Sequence, residues 1–138
     1  MKLLTFQVRR FWWKSFSKTL PDVPDRDVED EVGESVVVFF HAEESDEEPE
    51  LEAKVFRKAL KHIKWVANKR ELSTVVLHSF THLGGKTASP KYALEFIEKM
   101  TARLEDTGYK VRSTPFGYFC AWNIDVFGDS MAKVFKDI

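Results

Sequence analysis

This chain has little of several things, and each scarcity removes a class of function. It has one cysteine, Cys120, among 138 residues. No internal disulfide can form, and a reducing compartment is the natural setting. One cysteine and four scattered histidines (His41, His62, His78 and His82) do not make a structural zinc site, so no metal is expected. There is no Walker A sequence and no Gly-x-Gly-x-x-Gly, so nucleotide-phosphate loops of those kinds are excluded, and no cofactor is expected. No apolar run approaches the length of a membrane-spanning helix. The apolar start at Met1 to Phe6 is too short for a signal peptide and meets Arg9 and Arg10 at once, so a cytoplasmic protein is expected. Net charge is −1, which argues against a generic nucleic-acid coat.

What the chain does have is aromatic bulk, with twelve Phe, four Trp and three Tyr. Most of it belongs in a core; a few rings could stack on a nucleobase. Charge is uneven. Residues 43–52 carry seven acidic side chains and no basic one, which reads as a solvated loop and helix entry.

Hydrophobic patterning orders the elements. Residues 3–8 read as a strand, and the aromatic stretch 9–16 continues it or forms a hairpin arm. Residues 18–34, with Pro21 and Pro24, read as a loop. Residues 35–42 are almost wholly apolar and β-branched, as in a strand buried on both faces. Leu51, Val55, Ala59, Ile63 and Val66 recur at helical spacing and predict a helix from Pro49 to Lys69, with Lys58, Lys61 and Lys64 off its apolar face. A strand follows at 73–78. Ser89 and Pro90 open a second helix that buries Ala93, Ile97, Met100 and Leu104 and stops at Gly108. Strands at 109–114 and 118–127, joined by Pro115-Phe116-Gly117, read as a hairpin, and 130–136 reads as a terminal helical turn. The expected architecture is a single α+β domain over 1–138, a mixed β-sheet with two main helices packed on it.

Two motifs carry the functional signal. Phe80-Thr81-His82-Leu83 follows a strand, where loops of α/β proteins carry chemistry, and Pro115-Phe116-Gly117-Tyr118-Phe119 opens another. One helix separates them, so both can meet at one sheet edge. Gly84-Gly85-Lys86 ahead of a helix is a weaker feature: a flexible connector, or a hold for a phosphate or a nucleic-acid 3′ end. His82 is read as the holder of a water or a ribose hydroxyl, and Cys120, with Phe119, Ala121 and Trp122 around it, as a buried thiol.

In register, the two motifs resemble the N-terminal editing domain of archaeal threonyl-tRNA synthetase, a relative of the D-aminoacyl-tRNA deacylases. The strand at 35–42 followed by Glu43 fits as well. The resemblance implies a D-aminoacyl-tRNA deacylase-like fold. It implies hydrolysis of Ser-tRNA(Thr), in trans or as part of a threonyl-tRNA synthetase. The partners implied are the tRNA 3′ end, a synthetase catalytic subunit and a second copy in a homodimer, with no membrane. His82 matches the family's histidine. Cys120 stands where the family has a lysine that positions water, and Lys133 where it has a glutamate. His82, Cys120 and Lys133 are thus the catalytic positions, with Lys133 offered as a replacement cation. Ala42, Phe80, Thr81, Phe116, Gly117, Tyr118 and Phe119 are the substrate-binding ones. The competing readings are a non-catalytic module holding adenosine or a tRNA end, a D-aminoacyl-tRNA deacylase, and a scaffold using the aromatics of 11–16.

Overall fold

One strand organises the domain. In the computed structural model, which describes all residues 1–138, β1 runs unbroken from Lys2 to Lys18. Its first half pairs antiparallel with β3 (Ser35–His41) and with β7 (Lys133–Asp137). Its second half pairs antiparallel with β2 (Glu29–Val32) and with β6 (Tyr118–Val126). Both edges of this long aromatic strand are therefore hydrogen-bonded along most of its length. Register shifts between Val8 and Arg10 and between Ser15 and Ser17 bend it against β6 and curl the sheet.

On the other side of β3 the sheet turns parallel. β4 (Thr74–Ser79) pairs with β3, and β5 (Lys110–Ser113) with β4. Parallel neighbours need crossovers, and these are α1 (Pro49–Asn68) and α2 (Pro90–Asp106). β3 is buried throughout, and its side chains alternate between two cores. Val36, Val38 and Phe40 meet Val55, Ala59 and Ile63 of α1 and Phe96, Met100 and Leu104 of α2. Val37 and Phe39 meet Val8, Phe11 and Trp13 on the opposite face. The doubly buried central strand and the two helices follow the sequence reading closely.

Three expectations are corrected. The 18–34 stretch is not all loop, because Glu29–Val32 pairs with Phe11–Lys14. Strands β5 and β6 do not form a hairpin; β5 ends the parallel side while β6 returns to β1. Residues 130–136 hold only one 3-10 turn, Ser130–Ala132, before β7. The backbone of Lys2–Phe6 would otherwise be an open edge, and pairing satisfies more hydrogen bonds than a single helical turn.

No helix is long and apolar enough to cross a membrane.

Candidate active site

Strands β3, β4 and β5 end together, and a cleft of ≈ 370 Å³ opens beyond their carboxyl ends. The Phe80–His82 motif supplies one wall and Phe116–Cys120 another, so the two motifs do meet. Pro90 and Ala93 of α2 close a third side, and Thr19 and Leu20 a fourth.

Each wall is held in place. Phe80 N–H donates to the Phe40 carbonyl at 2.9 Å, extending β4 by one bond before the chain turns away. His41 braces the following loop. Its Nδ1 accepts Leu83 N–H at 3.2 Å, which leaves Nε2–H to donate to Thr87 Oγ1 at 3.1 Å. Glu43 accepts Gly85 N–H at 3.4 Å and the Lys2 ammonium at 3.0 Å. Burial opposes its charge, but hydrogen bonds from the α-ammonium group and Lys2 outweigh burial and bring its pKa to about 2. Ser89 caps α2 by accepting Tyr92 N–H at 3.2 Å, and its hydroxyl donates to Glu47 at 2.7 Å. At the opposite wall Gly117 has φ +80°, and a Cβ there would stand 2.6 Å from Val23 Cγ1. Only glycine permits that approach. The Gly117 carbonyl accepts Thr19 N–H at 2.7 Å. Tyr118 OH donates to the Pro24 carbonyl at 2.7 Å and accepts Arg26 N–H at 2.8 Å. The segment after β1 is thus fastened to the Gly117–Tyr118 wall of the cleft.

The floor is aromatic and neutral. His78 is 5% exposed, and its ring lies 4.8 Å from that of Phe39 and 5.7 Å from that of Trp122. Its Nδ1 is 2.7 Å from Thr114 Oγ1. Burial lowers its pKa to about 4, so it is uncharged near neutrality. Cys120 is half-buried, and burial raises its pKa, so it stands as a thiol. His82 is exposed at the rim, with its ring edge-on to Phe80 at 5.1 Å. No lysine, arginine or carboxylate lines the cleft. The amides of Thr81 and His82 make no hydrogen bond within the protein. They are two donors available to a ligand.

Two expected positions fall elsewhere. Ala42 is buried beneath the loop, where its carbonyl accepts Ala88 N–H at 2.9 Å. Lys133 does not supply a cation to the cleft: it opens β7 opposite Phe6, and its ammonium donates to the Gly128 carbonyl at 3.2 Å. Strand pairing, in place of the helix expected there, carries it away. Sequence reasoning missed His78, Thr114 and Trp122 as lining residues. The alternation of β4 and β6 held that signal, since 78 and 80, and 120 and 122, share faces. No group of three His, Cys, Asp or Glu side chains is gathered anywhere to hold a metal. A second hollow of ≈ 350 Å³ lies between α1 and α2, crossed by the Lys99–Glu52 ion pair at 2.9 Å. It contains neither motif.

A curled mixed sheet, two crossover helices on one face and a cleft at the ends of the parallel strands define a D-aminoacyl-tRNA deacylase-like fold. The c-Myc DNA unwinding element binding protein superposes with TM-score 0.64 over 100% of this chain and 99% of its own, at 17% identity. At that identity the likeness is one of fold. The sequence goes further: the chain belongs to the family of archaea-specific editing domains of threonyl-tRNA synthetase, whose model matches residues 1–138. The threonine–tRNA ligase of Staphylothermus marinus is 32% identical over 142 residues, covering 100% of this chain and 22% of the ligase. That of Thermococcus kodakarensis is 33% identical over 105 residues, covering 76% and 16%. The chain thus spans about a fifth of the length of these relatives.

Proposed function

We propose that this domain is an aminoacyl-tRNA deacylase that removes serine from Ser-tRNA(Thr), in trans or as part of a threonyl-tRNA synthetase. The observation that carries the reading is the meeting of both family motifs around one aromatic-walled cleft that no lysine, arginine or carboxylate lines. The terminal adenosine is uncharged and flat, and suits walls made of Phe80, Phe116, Phe119 and Trp122. The free amides of Thr81 and His82 receive the ester carbonyl oxygen, where negative charge grows as water adds. His82 at the rim orients the water or the ribose. Water attacks the carbonyl carbon, the ester C–O bond breaks, the ribose hydroxyl leaves with a proton, and serine departs as the free acid. An aminoacyl ester is already labile, so positioning supplies much of what is needed. Threonine differs from serine by one methyl, and excluding it sterically is worth about 1–3 kcal/mol.

A second reading has its own support. With a neutral thiol at Cys120 and Lys133 outside the cleft, no ammonium is present to activate water. A module that binds the aminoacylated 3′ end without turning it over would need the same walls. Single-turnover release of serine, measured beside binding of a non-hydrolysable seryl-3′-aminoadenosine, separates the two. Release blocked by the analogue supports the deacylase. Analogue binding without release supports the module.

A further inference from the structure

No lysine or arginine lines the cleft, yet an RNA end entering it brings a phosphate backbone. The cations to meet that backbone stand together elsewhere. Residues 53–70 contain Lys54, Arg57, Lys58, Lys61, Lys64, Lys69 and Arg70 and no acidic residue. Seven of the 21 basic side chains are therefore in one segment, and the other 14 are set against all 22 acidic ones. Most of the segment is the exposed face of α1. Val55, Ala59, His62, Ile63 and Val66 face the core, which leaves Lys54, Arg57, Lys58, Lys61 and Lys64 along the solvent side.

Eight of the 21 cations in the molecule are held in ion pairs, and none of these five is among them. Lys2, Arg9, Arg10, Lys18, Arg70, Lys86, Lys99 and Arg112 each pair with a carboxylate. None of the five on α1 has a carboxylate within 4.0 Å, the range that defines those pairs. They are also one another's neighbours: Lys54 with Lys58 and Arg57 with Lys61 at i, i+4, and Lys58 with Lys61 and Lys61 with Lys64 at i, i+3. Like charges at these spacings destabilise a helix. No ion pair within 4.0 Å offsets that repulsion. A rise of 1.5 Å per residue spreads Lys54 to Lys64 over about 15 Å, enough to face several phosphates.

We propose that the exposed face of α1 is an RNA-docking surface that holds the sugar-phosphate backbone of a duplex arm of the tRNA. The inference rests on the reading that the cleft receives a tRNA 3′ end, but not on hydrolysis there. α1 and α2 begin side by side at the cleft end of the sheet, where Glu47, just ahead of α1, accepts Ser89 N–H at 2.8 Å. From that end the basic face runs back along the domain. Contact is electrostatic and independent of base sequence, so its signature is salt dependence.

The test is binding of a fluorescent tRNA acceptor-arm hairpin ending in CCA, by anisotropy, from 50 to 300 mM salt. Lys58→Gln/Lys61→Gln should bind roughly tenfold or more weakly at 0.1 M salt and flatten the log–log salt slope by about two. Its melting temperature should not fall, since two repulsive neighbours are removed. Lys110→Gln/Lys136→Gln, exposed cations on other elements, should leave affinity and slope at wild-type values. An unchanged slope and affinity in the α1 variant would overturn the proposal, even with deacylation intact. Salt-sensitive self-association lost in that variant, without hairpin binding, would also overturn it, because the helix would then meet the acidic segment of a second copy. Hairpin binding with the expected slope but no serine release would uphold the surface and sink the deacylase.

Discussion

Replacing His78 by glutamine should change how the domain's stability depends on pH, in a window set by where the imidazole sits. In the fold it is wedged among Phe39, Phe80 and Trp122, with only Thr114 as a polar neighbour at 2.7 Å. Burial brings its pKa from 6.5 to about 4. An unfolded imidazole titrates near 6.5. Above that value both states are neutral and the group gives no slope. Between 6.5 and about 4 the unfolded chain takes up a proton that the folded chain refuses, so stability is lost as pH falls. At about 1.4 kcal/mol per pH unit the full window amounts to about 3 kcal/mol. His41 and His62 are also lowered by burial and act in the same direction, but they are common to both proteins. Urea unfolding of wild type and His78→Gln at pH 7, 6, 5 and 4.2 isolates the difference. The variant should be the less stable at pH 7, through lost packing, and should close the gap by about 3 kcal/mol at the acid end. A gap constant across the series would refute the reasoning, as would an imidazole resonance of His78 titrating near 6.5. The functional corollary is a cleft floor without charge at neutral pH.

Gly117→Ala combines φ +80° with a Cβ 2.6 Å from Val23 and should cost about 1–3 kcal/mol, lowering the melting temperature and loosening the segment after β1 that packs on Gly117. Gly108→Ala, at φ +94° but with nothing within 4 Å, should cost about 1 kcal/mol and leave ligand binding alone. Ser89→Ala removes the cap of α2 and should lower stability by about 1–2 kcal/mol in denaturant titration. Lys133→Ala should leave serine release unchanged, because its ammonium contacts the Gly128 carbonyl. Cys120→Lys, by placing a cation in the cleft, should accelerate release; a slower enzyme would show that the thiol position is not beside the ester.

Local signals made most of the fold legible. Helical periodicity gave α1 to within a residue, and Ser89-Pro90 gave the start of α2. The run Val36 to Phe40 identified the strand buried on both faces. Pairing partners were hidden because register is a long-range property. Nothing near Tyr118 says that β6 joins β1, about a hundred residues away in sequence, instead of β5 beside it. Lys133 was misplaced for the same reason, since its strand exists only by pairing with Phe6. The site was partly legible. Phe80, Thr81, His82, Phe116, Gly117, Tyr118, Phe119 and Cys120 all reach the cleft, because each motif sits at the end of a parallel strand or the start of β6. His78 was hidden because a histidine in an apolar strand reads as core. Here it is both core and floor.

The most direct test of the account is hydrolysis of Ser-tRNA(Thr) beside Thr-tRNA(Thr) by wild type and His82→Ala under single-turnover conditions. Serine should be released at least tenfold faster than threonine, with the serine rate falling in His82→Ala while the melting temperature stays unchanged. Equal, background-level release of both amino acids by the wild type would contradict it.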